Sequence, residues 1–285
     1  MARWGYSTSV AIWEYFNEIN PNLPAGKFYT KLGEYLEQID PYNHLRTTSA
    51  WALCEANWIH PKLDTADLHW YLRPAWGEIW KDEVAGVVDR AKLLRRSAIN
   101  KPALLSEFGL ANDKWMLSPY MKQDKELVHF HNIMWVSALS GLSGSTAFWW
   151  WEQLDMQDAY HHYKPLSAFV ADIPFTTANL HEISTTASDQ HLRVIGLQGK
   201  DSAYVWLFNY QTTWWNTVVE NIIPAIITNA KFHVKNLSSG TYRVQWWNTW
   251  EGKILKQEAI QTSDGRLEIL IPDFASNIAC KIAKK

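Results

Sequence analysis

VAIWEYFNE (10–18) and PALLSEFG (102–109) decide how this chain is read. Each is a short apolar run that ends in a carboxylate, Glu18 in the first and Glu107 in the second. Around them, apolar runs alternate with segments of helical period. GKFYTKLGEYLEQID (26–40) puts Phe28, Leu32, Tyr35, Leu36 and Ile39 on one stripe, and Pro41 stops the helix. HLRTTSA (44–50) and ADLHWY (66–71) predict two further strands, separated by a loop carrying Trp51, Trp58 and Pro61. Residues 82–97 predict a helix with Val84, Val87, Val88, Ala91 and Leu94 on its apolar side. A long helix over 123–140 is closed by Gly141 and Gly144. STAFWWW (145–151) predicts a fifth strand, and PLSAFVADI (165–173) a closing helix. Short apolar strands alternating with helices imply parallel βα units with both sheet faces covered.

The pattern changes near residue 185. LRVIGLQG, SAYVWLFNY, AKFHVKNL, GTYRVQWWNT, GKILKQEAI, GRLEILIPD and SNIACKIAK follow one another, separated by turn signals such as SSG, WEGK and SDGR. That is the pattern of an antiparallel β-sandwich. Two domains are expected, an α/β domain over 1–182 and a β-sandwich over 186–285, divided within the polar stretch HEISTTASDQ (181–190).

Composition narrows the class. The chain has 285 residues, 47% hydrophobic, so it can bury a core. With 27 basic and 29 acidic side chains it has a formal net charge of -2 and no basic stripe, which argues against a nucleic-acid partner. The apolar runs fall short of the ~20 residues a membrane helix requires, so no membrane partner is expected. The start, MARWGYSTSV, lacks the apolar segment of a secretory signal. Cys54 and Cys280 are far apart and read as buried small residues rather than a redox pair. His161, His162, Asp155 and Asp158 fit no standard metal spacing, and no metal or cofactor is expected. The unusual feature is 18 tryptophans. Indole faces suit flat, partly apolar ligands such as sugar rings.

Chemistry enters with the two glutamates. Both close predicted parallel strands, at the end where α/β barrels keep their catalytic groups. Glycoside cleavage requires such a pair, one carboxylic acid and one carboxylate flanking the bond. Alone, either glutamate could be a solvated or ion-paired side chain. Glu14 shares the parity of Glu18 on the first strand but lies deeper, and reads as structural.

Four motifs in order carry a resemblance: Asn17-Glu18, His69-Trp70-Tyr71, Glu107 in SEFG, and the tryptophan-rich run 145–151. Together they resemble the retaining glycosidases built on (β/α)8 barrels, the cellulase- and mannanase-like family 5 enzymes in particular. The resemblance covers residues 3–175 and implies a partial (β/α)8 (TIM) barrel, strands four to eight, followed by an all-β sandwich. It implies that Glu18 is the acid/base and Glu107 the nucleophile of β-glycoside hydrolysis with retention. It implies that Asn17 binds the sugar 2-hydroxyl, that Tyr71 keeps Glu107 ionised, and that His69 orients substrate or tunes Glu18. Trp149 and Trp151, on one face of the predicted strand, would stack on sugar, with Trp150 on the other face. The substrate class implied is an oligo- or polysaccharide, and the family suggests a secreted or periplasmic setting. Strands one to three have no counterpart. The expectation is a truncated product, a non-catalytic carbohydrate-binding protein, or a chain completed by a partner or a second copy of itself.

Overall fold

The computed structural model describes residues 3–97 and 100–285. Its first part is a run of parallel strands. β1 (Ile12–Glu14) pairs with β2 (Leu45–Thr47). β3 (Ser49–Ala50), β4 (Ala66–Leu72), β5 (Ala103–Leu110) and β6 (Ala147–Phe148) pair in that order, all parallel. β2 and β3 are one predicted strand interrupted at Thr48, and a parallel bridge from Ile19 to Ala50 resumes the pairing beyond the break. All five predicted strands therefore exist and lie side by side in sequence order.

Helices α1 (Gly26–Ile39), α2 (Glu55–Trp58), α3 (Glu83–Ser97), α4 (Val128–Leu139), α5 (Trp151–Met156) and α6 (Tyr163–Val170) separate or follow the strands. α1 has the predicted span and buries Leu36 of the predicted stripe, but beside Tyr29 and Gly33. Phe28, Tyr35 and Ile39 are exposed, because α1 docks through its Tyr29 edge onto Tyr15, ring to ring at 6.1 Å. α4 starts later than its periodicity suggests, since the Asp124 carboxylate caps it by accepting the N–H groups of Val128 and His129.

The second part is antiparallel. β9 (Leu192–Gln198), β10 (Ser202–Asn209), β12 (Gly240–Asn248), β13 (Lys253–Thr262) and β15 (Asn277–Lys284) join β7 (His181–Glu182) in the order β13-β12-β15-β10-β9-β7. β8 (Thr185–Ala187), β11 (Lys231–Val234) and β14 (Leu267–Leu270) form a smaller sheet, ordered β14-β11-β8. The seven predicted strands all form, with β7 and β8 added. β7 pairs with β9, so residues 181–182 belong to this sheet rather than to the parallel one.

β10 explains how the two parts meet. Val205 and Leu207 face the smaller sheet with Phe232, Val234 and Ile269. Trp206 and Phe208, on the opposite face, join the core of the α/β part. A strand covered on both sides loses the apolar/polar alternation of a half-exposed one. For the same reason α4, caught between β5 and the larger antiparallel sheet, is buried almost all round.

Candidate active site

The site is assembled at the C-terminal ends of the parallel strands. On β4, His69 and Tyr71 are two apart and share a face, while Trp70 points away toward α3. His69 stands opposite Glu107 in the β4–β5 register. Glu18 comes from the irregular segment after β1, just before the bridge at Ile19. Its φ is 53°, in the left-handed region, and its N–H donates to Ser49 Oγ at 2.8 Å. The Thr48 hydroxyl donates to the Phe16 carbonyl at 2.9 Å, and Ser49 N–H donates to Glu14 Oε1 at 3.1 Å. The hydroxyl-rich Thr47-Thr48-Ser49 thus holds open the kink that turns Glu18 inward.

These contacts bring the two glutamates together across 89 positions of sequence. His69 Nδ1 is 3.1 Å from Glu18 Oε1 and 3.4 Å from Glu107 Oε2. One carboxylate oxygen of each glutamate and a ring nitrogen of His69 all lie within 4.8 Å of one another. Tyr71 donates its hydroxyl to Glu107 Oε1. Burial pushes the Glu107 carboxyl above its ordinary range and Glu18 adds to this, against the pull of the Tyr71 hydrogen bond and His69. Burial and the Glu107 carboxylate drive the Tyr71 hydroxyl upward as well, so it remains a donor.

Asn17, Glu18, Trp51, Tyr71, Glu107, Trp115 and Trp149 line one cleft of about 480 Å³, within the range of small-molecule sites. Among the described residues, Glu18, His69 and Glu107 also form the one group spaced to ligate a metal ion. They are the same atoms that acid/base chemistry would use.

No family model and no curated protein matches the chain. Solved structures do. A glycoside hydrolase of family 5 from Bacteroides vulgatus aligns with TM-score 0.63 and 13% identity, over 99% of this chain and 64% of that one. A family 30 endoxylanase from Clostridium papyrosolvens aligns with TM-score 0.51 and 14% identity, over 97% and 66%. A glucosidase from Croceicoccus marinus aligns with TM-score 0.52 and 11% identity, over 97% and 69%. The fold is that of the barrel glycoside hydrolases. The chain spans just under two thirds of the first of these relatives.

Within that glycoside hydrolase fold, most of the expected site residues meet at the cleft. Asn17, Glu18, Tyr71, Glu107 and Trp149 line it, and His69 lies beneath, bridging the carboxylates. Trp151 does not. The strand predicted over 145–151 stops at Phe148, its ladder extended only by Trp149 N–H to the Phe108 carbonyl, and Trp151 opens α5 with 66% of its surface exposed. Face alternation ceases once the strand ends, so the parity argument fails for Trp151. Trp150 packs inside, against Tyr71 at 5.5 Å and over Gly109. Three residues escaped the sequence reading. Trp51 directly follows β3, so the strand-end rule that found Glu18 would also have found it. Trp115 sits in an irregular loop without signal. Asp67 lies buried two residues before His69 and accepts from Ser106 and Thr47, and burial raises its carboxyl.

Proposed function

We propose that this chain hydrolyses β-glycosidic bonds with retention, Glu18 acting as acid/base and Glu107 as nucleophile. One observation carries the reading: two glutamates from separate strands present carboxylate oxygens within 4.8 Å of one another in a tryptophan-lined cleft. Retaining enzymes hold their carboxyl groups ~5–5.5 Å apart, whereas inverting enzymes leave ~6.5–9.5 Å for a water molecule. The spacing supports the retaining course.

The steps follow from the geometry. The Glu107 carboxylate attacks the anomeric carbon while protonated Glu18 gives its proton to the departing glycosidic oxygen. A glycosyl ester on Glu107 and a free alcohol result. Water then attacks the same carbon, Glu18 takes its proton, and Glu107 leaves as a carboxylate. His69, bonded toward both glutamates, positions them. Tyr71 supplies the hydrogen bond that favours ionised Glu107 against its burial. Asn17, next to Glu18 at the cleft, is the candidate for the sugar 2-hydroxyl, and Trp149 for stacking.

A panel of chromogenic aryl β-glycosides tests this. Glu18→Gln should cut turnover by about 10²–10⁴, the usual contribution of general acid–base catalysis. Glu107→Gly should be inactive and regain turnover with azide. Hydrolysis that survives both substitutions refutes the assignment. A second reading is sugar binding without turnover: among the described residues five parallel strands wall the cleft, and a closed barrel has eight. A second polypeptide or a second copy of the chain supplying the remaining wall would restore the first reading. Mass measurement in solution beside the glycoside assay separates these cases.

A further inference from the structure

Glu18, His69 and Glu107 aim one donor atom each at a common point. His69 Nδ1 lies 3.1 Å from Glu18 Oε1 and 3.4 Å from Glu107 Oε2, with the donor atoms of all three residues inside 4.8 Å. A tetrahedral zinc ion takes imidazole nitrogen at ~2.0–2.1 Å and carboxylate oxygen at ~2.0–2.2 Å, which sets neighbouring donors ~3.3–3.6 Å apart. Both contacts of the imidazole fall near that spacing. The third edge, between the carboxylate oxygens, is within reach of a turn of Glu18, whose side chain is 37% exposed.

The donors are supported from behind as metal ligands must be. His69 is buried on β4 with Glu107 opposite it in the parallel register. Tyr71 donates its hydroxyl to Glu107 Oε1, which leaves Oε2 toward the imidazole. A partner on the outer oxygen orients a ligating carboxylate and strengthens the site. The Glu18 main chain is fixed by its N–H on Ser49 Oγ at 2.8 Å. Two carboxylates this close repel one another where little water screens them, and a divalent cation neutralises both. One imidazole with two carboxylates suits zinc and the other late first-row ions. Calcium wants about six to eight oxygens, and magnesium an octahedral shell rich in water. Glu18 and Glu107 both line the cleft, so the fourth position opens into it, the arrangement of zinc sites that keep an exchangeable ligand.

We propose that Glu18, His69 and Glu107 form a binding site for a zinc-class divalent cation, which acts as an inhibitor rather than a cofactor. The ion takes the lone pair with which Glu107 would attack and the carboxylate on which Glu18 would carry its proton. The inhibition rests on the glycosidase reading; the binding site does not. The experiment uses the full chain, stripped with EDTA and dialysed, and titrates it by calorimetry with Zn²⁺, Mg²⁺ and Ca²⁺. One Zn²⁺ should bind per chain, far more tightly than Mg²⁺ or Ca²⁺. Tyr71→Phe should weaken Zn²⁺ by about tenfold, the lower end of what an outer partner contributes, and His69→Ala and Glu18→Gln by more than about 100-fold. Co²⁺ in place of Zn²⁺ should give the visible absorption of a four-coordinate ion, and Glu18→Gln, a change of near-equal shape at an exposed side chain, should diminish it. On aryl β-glycosides, Zn²⁺ should stop turnover at the concentration at which it binds, and EDTA should restore it. Zn²⁺ binding no tighter than Mg²⁺, or undiminished in both His69→Ala and Glu18→Gln, overturns the site. Full turnover by the Zn²⁺-saturated chain overturns the inhibition. Ligand-dependent Zn²⁺ binding by a chain that hydrolyses no glycoside upholds the site and removes the catalytic reading alone.

Discussion

Tyr71 shows how much one hydroxyl can decide. Glu107 is largely buried, and burial disfavours the carboxylate that nucleophilic attack requires. The Tyr71 hydrogen bond opposes burial directly, since it is made to the charged form. Removing it in Tyr71→Phe should push the Glu107 carboxyl further up. A nucleophile is active above its pKa, so the acid limb of the kcat/KM profile should move to higher pH. A hydrogen bond to a charged group contributes about 1.5–3 kcal/mol, which corresponds to a displacement of the acid limb by about one to two pH units. A pH–rate series on wild type and Tyr71→Phe checks both. A fall in rate without displacement of the acid limb would show that Tyr71 touches the sugar rather than Glu107.

At the level of elements, β4 carries the site on one face and its anchor on the other. Trp70 turns away from His69 and Tyr71 to fill the space over Gly86 of α3, where a methyl group would come within 2.1 Å of the indole. Gly86→Ala should therefore destabilise despite alanine's better helix propensity, which offsets only ~1 kcal/mol. Overpacking costs about 1–3 kcal/mol, so a net loss of up to about 2 kcal/mol is expected from urea unfolding, with a drop in activity if β4 shifts. The same strand shows what the sequence could and could not reveal. The spacing of His69 and Tyr71, the closing positions of Glu18 and Glu107, and the run of five strands are period-2 and strand-end signals, and local sequence carries them. The buried stripe of α1 was misjudged because amphipathicity does not say which apolar edge finds a neighbour. Trp151 was misplaced because strand parity has no meaning past Phe148, where the chain turns into α5. Trp115 and Asp67 were invisible because their roles depend on loop geometry and on strands far away in sequence.

At the scale of the whole molecule, the seam between the α/β part and the antiparallel sheet includes ionisable groups that burial holds neutral. Glu83, fully buried on α3, accepts from Asn132 on α4 at 2.7 Å and from the Trp214 N–H at 2.9 Å, and burial pushes its carboxyl up to about 8. His131 stacks on Trp250 at 3.8 Å and meets Asn277 at 3.1 Å, and burial lowers it to about 3. His162, edge-on to the same Trp250, is lowered to about 4. The signs differ. Between its ordinary 4.5 and about 8, folded Glu83 keeps a proton that the unfolded chain has lost, so stability falls as pH rises through that window. Below the ordinary histidine value of 6.5 the unfolded chain binds protons that His131 and His162 refuse, so stability falls as pH drops from 6.5 toward 4 and, for His131, toward 3. Each full proton is worth about 1.4 kcal/mol per pH unit. Two histidines outweigh one glutamate between 4.5 and 6.5, which places the maximum near pH 6.5. Glu83→Gln keeps the acceptor but not the titration, and should flatten the alkaline side, gaining stability over wild type at pH 8 relative to pH 5. His162→Gln should nearly cancel the slope between 4.5 and 6.5, leaving one histidine against one glutamate. Urea unfolding at pH 5, 6.5 and 8 on the three chains measures these slopes, and an alkaline slope that persists in Glu83→Gln would mean that Glu83 is ionised in the native seam.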